Sequence, residues 1–213
     1  MGGAKHRSNL PRQDREKLDV FFDEIGKQCE TFVGYPCTGR FDYSELFRFF
    51  SFPINNVGDP FNPCTYHLHT RVFERDVLDW FAELMHAPEG DWWGYVTNGG
   101  TEGNLYGLYL ARELHADGMV YYSQDTHYSV IKNLRLLRMP NIMIRSLANG
   151  EIDYEDLRET IRIHRDVTPI IFANIGTTMK EGHDDIGRIQ AILQELAFPM
   201  HYIHCDAALC GMT

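Results

Sequence analysis

The sequence lacks the features that mark several classes of protein. No stretch approaches the roughly 20 apolar residues of a membrane-spanning helix, and the polar start MGGAKHRSNLPRQ is not a secretory signal. Basic residues are in deficit, since 20 Lys and Arg stand against 30 Asp and Glu and give a net charge of −10. Nucleic-acid phosphates need a basic surface, so this charge argues against nucleic acid as a partner.

Cysteines are few and irregularly placed. There are five, an odd number, and none has CxxC spacing. This pattern fits free thiols in a reducing cytosol better than a disulfide framework, and it predicts a cytoplasmic protein. The cysteines are Cys29, Cys37, Cys64, Cys205 and Cys210.

Two familiar phosphate-binding motifs, GxxxxGK[ST] and GxGxxG, are absent, but a different glycine-rich turn is present. It lies in WGYVTNGGTEGN, residues 93–104, between an aromatic and β-branched run and a long apolar helical pattern. At such a turn the backbone N–H groups at the helix N-terminus can approach an anion with no Cβ in the way, and Thr101 adds a hydroxyl donor in the first turn. The stretch alone leaves two interpretations open, a phosphate site or an ordinary tight turn.

The chain changes character near residue 90. Residues 1–90 have helical patterns at 10–32, 42–50 and 71–86, joined by a loop rich in Pro, Gly and Asn at 51–63. From residue 92 onward, strands alternate with helices, which is typical of an α/β fold with a largely parallel sheet. We place the strands near 92–97, 119–123, 141–146, 169–174 and 201–205, and the helices at 101–116, 127–138, 153–165 and 185–197.

Polar residues cluster where these strands end. The segments are residues 98–101, 125–127 and 174–178, followed by Asp206. Ligands of open α/β sheets bind beyond the carboxyl ends of the strands, so these loops predict one cofactor site. Asp206 follows an apolar strand, so it should be at least partly buried and needs a partner, which a protonated ring nitrogen of a cofactor would provide. The small Ala208, two residues on, leaves room for a flat ring, and His127 could lie on the other face of that ring. A helix cap or salt bridge for Asp206, and an ordinary turn histidine for His127, are the structural alternatives.

The motifs WGYVTNGGTEGN, DTHYSV, GEIDYEDL, FANIGTT and YIHCDAALCGM resemble those of the pyridoxal-phosphate-dependent group II amino-acid decarboxylases. Within that group, the chain most resembles the bacterial histidine decarboxylases and the related plant serine decarboxylases, and INNVGDPF at residues 54–61 is also similar to that subgroup. The resemblance runs from about residue 34 to the last residue. It implies the aspartate aminotransferase-like fold (fold type I), pyridoxal 5′-phosphate as cofactor and a homodimer with active sites at the subunit interface.

The resemblance also assigns roles to individual residues. It implies that the phosphate is bound by the glycine-rich turn, that one side chain stacks on the pyridine ring and one pairs with its nitrogen, and that others lie at the edge of the ring and beneath it. By this resemblance, Gly100 and Thr101 would bind the phosphate and His127 would stack on the ring. Asp206 would pair with the ring nitrogen, Thr178 would lie at the edge of the ring and Ala208 would lie beneath it. His127 and Asp206 are the expected catalytic residues. His127 and Asn56 are the expected substrate contacts, although Asn55, Asn56 and Asp59 fit a structural loop as well.

One departure from the family concerns the lysine that holds the cofactor covalently. The family carries it in a Ser-x-His-Lys segment beyond the Asp motif, and no such segment occurs here. Lys180 lies nearest to the site in sequence and is expected to be a solvated loop lysine. We therefore expect an N-terminal fragment: residues 1–90 as a helical segment with a substrate and dimer loop, residues 91–213 as an incomplete cofactor-binding domain, and no C-terminal small domain. The other lysines are Lys5, Lys17, Lys27 and Lys132.

The activity implied by the resemblance is decarboxylation of an amino acid, with L-histidine giving histamine and CO2. L-serine giving ethanolamine is the alternative, as is a non-catalytic fragment without its own lysine. A zinc site could be drawn from His201, His204, Cys205 and Asp206. Residues three apart on a strand point to opposite faces, so His201 and His204 cannot easily share a metal, and we expect none.

Overall fold

A computed structural model of the chain describes residues 10–34 and 42–212. It divides the chain into two compact units. The first comprises the chain up to Gly58 together with Pro63–Thr70, and the second comprises Asp59–Asn62 and the chain from Arg71 onward. The helix that follows Thr70 thus groups with the second unit, although the sequence pattern places the domain boundary near residue 90.

Among its described residues, the first unit contains one α-helix and one 3-10 helix. Helix α1 spans Arg12–Cys29, within the predicted range, and none of its residues is buried among the described residues. The predicted short aromatic helix is a 3-10 helix over Ser44–Ser51. Just before this helix, the Asp42 carboxylate accepts a hydrogen bond from the Ser44 N–H at 2.9 Å.

The second unit is an α/β layer structure. Strands β1 to β4 form a parallel sheet in the order β2-β1-β3-β4. Helix α2 precedes the sheet and helices α3 to α6 alternate with its strands, as the sequence predicts. The elements are α2 Arg71–Leu84, α3 Gly100–Leu114, β1 Met119–Ser123, α4 Ser129–Leu137, β2 Asn141–Ile144, α5 Tyr154–Ile163, β3 Pro169–Asn174, α6 Ile186–Glu195 and β4 Tyr202–Asp206.

Alternation along the central strands builds a core on each face of the sheet. Val120 and Tyr122 of β1 pack on one face with α3 and α4, whereas Tyr121, between them, packs on the other face with α5 and α6. Every residue of β3 is buried, as expected for a strand covered by helices on both sides. Each fully buried aliphatic side chain contributes roughly 1.5–3 kcal/mol, so the two clusters hold the sheet and its helices in fixed register.

The strand predicted at residues 92–97 is wrong. The stretch lies between α2 and α3 without strand pairing to any part of the chain that the structure describes. The Val96 N–H donates instead to the Glu74 carboxylate at 3.0 Å, and the Trp93 and Tyr95 rings pack against Tyr106 of α3. Aromatic and β-branched residues favour strands, but a strand also needs a hydrogen-bonded neighbour.

Two expectations from composition can be compared with the described residues. The cysteines among them, Cys29, Cys64, Cys205 and Cys210, are free, as predicted, and Cys37 lies outside the described residues. Among the helices of residues 10–34 and 42–212, none is long and apolar enough to cross a membrane.

Candidate functional site

The parallel sheet brings the predicted polar loops to one edge. Strands β1, β3 and β4 end at Ser123, Asn174 and Asp206, so the loops that follow them share the carboxyl rim. From β1 the chain continues to β2, toward one edge of the sheet, and from β3 it continues to β4, toward the opposite edge. The position between β1 and β3 is therefore the switch point at which open α/β sheets bind ligands.

The glycine-rich turn forms an open helix N-terminus on this rim. Gly99 is the N-cap of α3 with φ +139°, a conformation that side chains disfavour, and no side chain caps the helix. A Cβ on Gly100 would lie 3.0 Å from the Ala208 Cβ, so the turn directly abuts the residues after β4. Thr101 follows with an exposed side chain, and its carbonyl accepts a hydrogen bond from Asn133 Nδ2 of α4 at 3.1 Å.

Glu102 fixes the shape of this turn, a role that sequence analysis missed. Its carboxylate accepts hydrogen bonds from the Asn98 backbone N–H at 3.0 Å and from Asn98 Nδ2 at 2.9 Å. The pKa of Glu102 is lowered below its usual value, mainly because its carboxylate accepts the hydrogen bond from the Asn98 backbone N–H. In a capping box, an acidic residue of the first helical turn reaches back to the preceding loop in a similar way. The spacing of Asn98 and Glu102 could therefore have predicted this role from the sequence.

Asp206 is partly buried, as predicted, and is held from two sides. Its Oδ2 accepts a hydrogen bond from Asn104 Nδ2 of α3 at 2.8 Å, and its Oδ1 accepts one from the Ala208 N–H at 3.1 Å. No cation forms an ion pair with it among the described residues. A partly buried carboxylate without a cationic partner is chemically suited to a positively charged ligand.

His127 is oriented by its own turn. Its Nδ1 lies 2.7 Å from Ser129 Oγ and accepts a hydrogen bond from the Ser129 N–H at 3.3 Å. Because Nδ1 is an acceptor here, the neutral ring carries its proton on Nε2. The ring is partly exposed and packs against Tyr128 at a centroid distance of 4.3 Å.

Asn174, at the end of β3, ties the loops of the switch point together. Its Nδ2 lies within hydrogen-bond distance of Thr126 Oγ1 (3.1 Å) and Asp184 Oδ2 (3.1 Å). Asp184 also accepts from the backbone N–H groups of Asn174 and Ile152, both at 2.7 Å. Burial raises the pKa of Asp184, and these backbone bonds oppose the shift. Nothing in the sequence pattern distinguishes Asp184, which lies in a polar loop after β3.

Thr178 and Lys180 lie in the loop after β3. Thr178 is exposed, whereas its neighbour Thr177 is buried and its Oγ1 accepts a hydrogen bond from the Gly182 N–H at 2.9 Å. Lys180 is an exposed loop lysine, as predicted, and its Nζ forms an ion pair with Asp125 Oδ2 at 2.8 Å. The pair joins the loop after β3 to the loop after β1.

Asn56, the expected substrate contact, belongs to the first unit. Its Oδ1 accepts hydrogen bonds from the Thr70 N–H at 2.7 Å and the Thr70 hydroxyl at 3.0 Å. In the second unit, the Asp59 carboxylate accepts from the Phe61 N–H at 2.8 Å, which supports the structural alternative for that residue. The role of Asn56 in substrate binding stays a prediction.

The candidate zinc ligands do not assemble. His204 Nε2 lies 2.8 Å from Asn104 Oδ1, and His201 Nδ1 lies 3.2 Å from the Phe198 carbonyl. Within residues 10–34 and 42–212, no group of three or more His, Cys, Asp or Glu side chains is arranged to hold a metal ion.

Comparison with known proteins identifies the family. Residues 63–213 match the pyridoxal-dependent decarboxylase conserved domain. The chain belongs to this family. It is 52% identical over 202 residues to a histidine decarboxylase of Mesorhizobium japonicum and 51% identical over 205 residues to one of Acinetobacter baumannii. These matches cover 95% of the chain but 55% and 54% of the relatives, so the chain spans about half their length.

A solved structure confirms the predicted fold class. The L-methionine decarboxylase of Streptomyces sp. 590 superposes with a TM-score of 0.77 at 26% identity, over 91% of this chain and 50% of that one. The parallel sheet with helices on both faces is therefore the predicted aspartate aminotransferase-like large domain.

The rim fits pyridoxal phosphate, the cofactor that the family implies. An open helix N-terminus suits a phosphate, and the absence of a Cβ at Gly100 leaves that turn close to Ala208. The Asp206 carboxylate, without a described cationic partner, suits a protonated pyridine nitrogen. Gly100, Thr101, Asp206 and Ala208 belong to segments in direct contact, and the loops bearing His127 and Thr178 share the same rim.

Proposed function

We propose that this chain forms the cofactor-binding part of an amino-acid decarboxylase that converts L-histidine to histamine and CO2. The observation that carries the proposal is the Asp206 carboxylate, partly buried at the rim and held by Asn104 and Ala208. The histidine decarboxylases of Mesorhizobium japonicum and Acinetobacter baumannii, at 52% and 51% identity, support histidine as the substrate.

The chain's own residues would bind and orient the cofactor. Pyridoxal phosphate, when bound, accepts the electron pair released as the substrate loses its carboxylate. Asp206 would keep a proton on the ring nitrogen, and the backbone N–H groups of Gly100 and Thr101 would bind the phosphate together with the Thr101 hydroxyl. His127 would cover one face of the ring, Ala208 would pack beneath it and Thr178 would lie at its edge. His127 and Asn56 would contact the substrate.

The lysine that binds the cofactor covalently is proposed to lie outside these 213 residues. Lys180 is nearest to the rim in sequence, but its ammonium group is paired with Asp125. The chain alone would then lack turnover, and the activity would belong to the full-length protein.

Product analysis tests this proposal. The full-length protein is incubated with pyridoxal phosphate and either L-histidine or L-serine, and the amines are separated and quantified. Histamine is expected; ethanolamine alone would move the assignment to serine, and the absence of any amine would refute decarboxylation. Asp206→Ala should lower turnover by more than about 100-fold, equivalent to about 2.7 kcal/mol. The matched control is Asp117→Ala, which removes an exposed carboxylate away from the rim.

We also infer a cytoplasmic homodimer. Free cysteines support a reducing compartment. Large apolar side chains of α1 are exposed, with Phe21 at 59% and Phe22 at 78%, and a partner subunit would cover such a surface. The mass of the full-length protein by light scattering tests the dimer, and a monomer at micromolar concentration would contradict it.

A further inference from the structure

The side chain of Asn104 connects two polar residues of β4. Asn104 is 5% exposed and lies one turn into α3, the helix that begins at Gly100. Its Nδ2 donates to Asp206 Oδ2 at 2.8 Å, while its Oδ1 lies 2.8 Å from His204 Nε2. Since His204 and Asp206 are two residues apart on one strand, they point to the same face, and a single amide reaches both.

The charge of Asp206 determines the direction of these hydrogen bonds. A carboxylate only accepts, so the amide nitrogen of Asn104 must face Asp206 and the amide oxygen must face His204. His204 must then donate from Nε2, which specifies the tautomer of a neutral ring. Burial lowers the pKa of His204 and so favours this neutral form, although the charge of Asp206 opposes the shift.

Packing holds the His204 ring where this bond can form. The ring lies 4.8 Å from the Phe172 ring, centroid to centroid. On its other side is α3, where a Cβ on Gly107 would come within 2.3 Å of His204 Nδ1. Glycine at this position therefore lets the helix approach the strand closely enough for Asn104 to bridge its two residues.

We propose that Asn104 and His204 are positioning residues for Asp206, forming a relay in which His204 orients the Asn104 amide and the amide orients the carboxylate. The inference rests on the proposed function, in which Asp206 holds a proton on the cofactor's ring nitrogen. The relay also joins the two ends of the proposed site, because the helix that begins at the phosphate-binding turn is the one that bonds to the carboxylate.

A pair of substitutions at His204 tests the relay in the full-length protein. His204→Gln keeps an N–H donor near the position of Nε2, whereas His204→Phe keeps a ring and removes the donor. We expect His204→Phe to lower kcat and weaken pyridoxal phosphate binding by equilibrium dialysis, each by about 10- to 100-fold, the size of one hydrogen bond to a charged network. His204→Gln should retain both within about threefold, and KM for the amino acid should change less than about threefold in either variant.

The matched control is His164→Phe, since His164 bonds to the Thr160 carbonyl at the end of α5 on the opposite face of the sheet. It should leave kcat and cofactor affinity unchanged. Equal losses in His204→Gln and His204→Phe would overturn the relay, because packing alone would then explain them. If the wild-type protein makes no amine and binds no cofactor, the proposed function fails instead.

A spectroscopic measurement keeps the test valid if His204→Phe does not fold. In the apo full-length protein labelled with ¹⁵N-histidine, a long-range ¹H–¹⁵N correlation spectrum reports the tautomer of each ring. The signal of His204, identified by its loss in His204→Gln, should show the proton on Nε2 at neutral pH. A proton on Nδ1, or a fully protonated ring, would refute the relay without reference to activity.

Discussion

At the scale of single residues, the site is defined by how each charge is accommodated. Lys180 is paired with Asp125, and the buried Asp184 accepts hydrogen bonds from Asn174 and Ile152. Asp206 also receives only neutral donors from the described residues, but it lies partly exposed at the rim, whereas Asp184 is buried with both oxygens bonded. Access from the rim, together with the lack of a described cationic partner, therefore distinguishes Asp206 as the carboxylate suited to a cationic ligand.

His204 makes stability depend on pH. Its pKa is lowered below the ordinary value of 6.5, mainly by burial, so the unfolded chain binds a proton that the folded chain does not. Between the lowered folded value and 6.5, the free energy of unfolding must therefore decrease as the pH decreases. We expect the Tm of the full-length apo-protein to fall more between about pH 7.5 and 5.5 in the wild type than in His204→Gln.

The comparison needs a histidine outside this network. His164→Gln, on the opposite face of the sheet, should keep the wild-type pH slope. Identical slopes in the wild type and His204→Gln would show that His204 does not contribute, and a steeper slope in His204→Gln would reverse the sign of the argument.

At the scale of elements, the contact between α3 and β4 determines the geometry of the rim. The helix carries Gly100 and Asn104, the strand ends at Asp206, and Gly107 allows them to pack closely. We expect Gly107→Ala to destabilise the full-length protein by about 1–3 kcal/mol, because its Cβ would overlap the His204 ring. Cofactor affinity should fall as well, since moving α3 would displace the glycine-rich turn that we propose binds the phosphate.

Gly26→Ala is the matched control for this substitution. Gly26 lies inside α1, where an added Cβ would point into open space, so alanine should be neutral or should stabilise by up to about 1 kcal/mol. Chemical unfolding and dialysis of both variants provide the measurements. If Gly107→Ala is as stable as Gly26→Ala, the close approach of α3 to β4 is not required.

Elements were predictable to the extent that local pattern determines them. The nearly continuous apolar runs of β1 and β3 reflect burial on both faces of the sheet, and the helical spacing of α3 to α6 reflects burial on one side, so sequence alone places these elements. The stretch 92–97 has the composition of a strand, but the Val96 N–H bonds to the Glu74 side chain of α2, a contact that no local pattern reveals. Asn104 and His204 were likewise hidden, since they lie 100 residues apart and meet only through packing.

At the scale of the whole molecule, cofactor binding should stabilise the folded protein. A ligand that binds only the folded state adds about 2.7 kcal/mol at a concentration 100 times its Kd. We expect pyridoxal phosphate to raise the Tm of the full-length protein in proportion to the logarithm of its concentration. Pyridoxal, which lacks the phosphate, should raise it much less at equal concentration, because the open N-terminus of α3 then has no anion to bind.

The Asp206→Ala variant separates the two ends of the site in the same measurement. Loss of the Asp206 carboxylate should reduce the rise in Tm caused by pyridoxal phosphate, because the ring nitrogen would lose its proposed partner. The larger rise in Tm with pyridoxal phosphate than with pyridoxal should persist. That advantage depends on the glycine-rich turn at Gly100, where the phosphate is expected to bind. Equal shifts in Tm by the two compounds in the wild type would contradict a phosphate site at α3. The pairing of Asp206 with the ring would still be tested separately, by product analysis of Asp206→Ala.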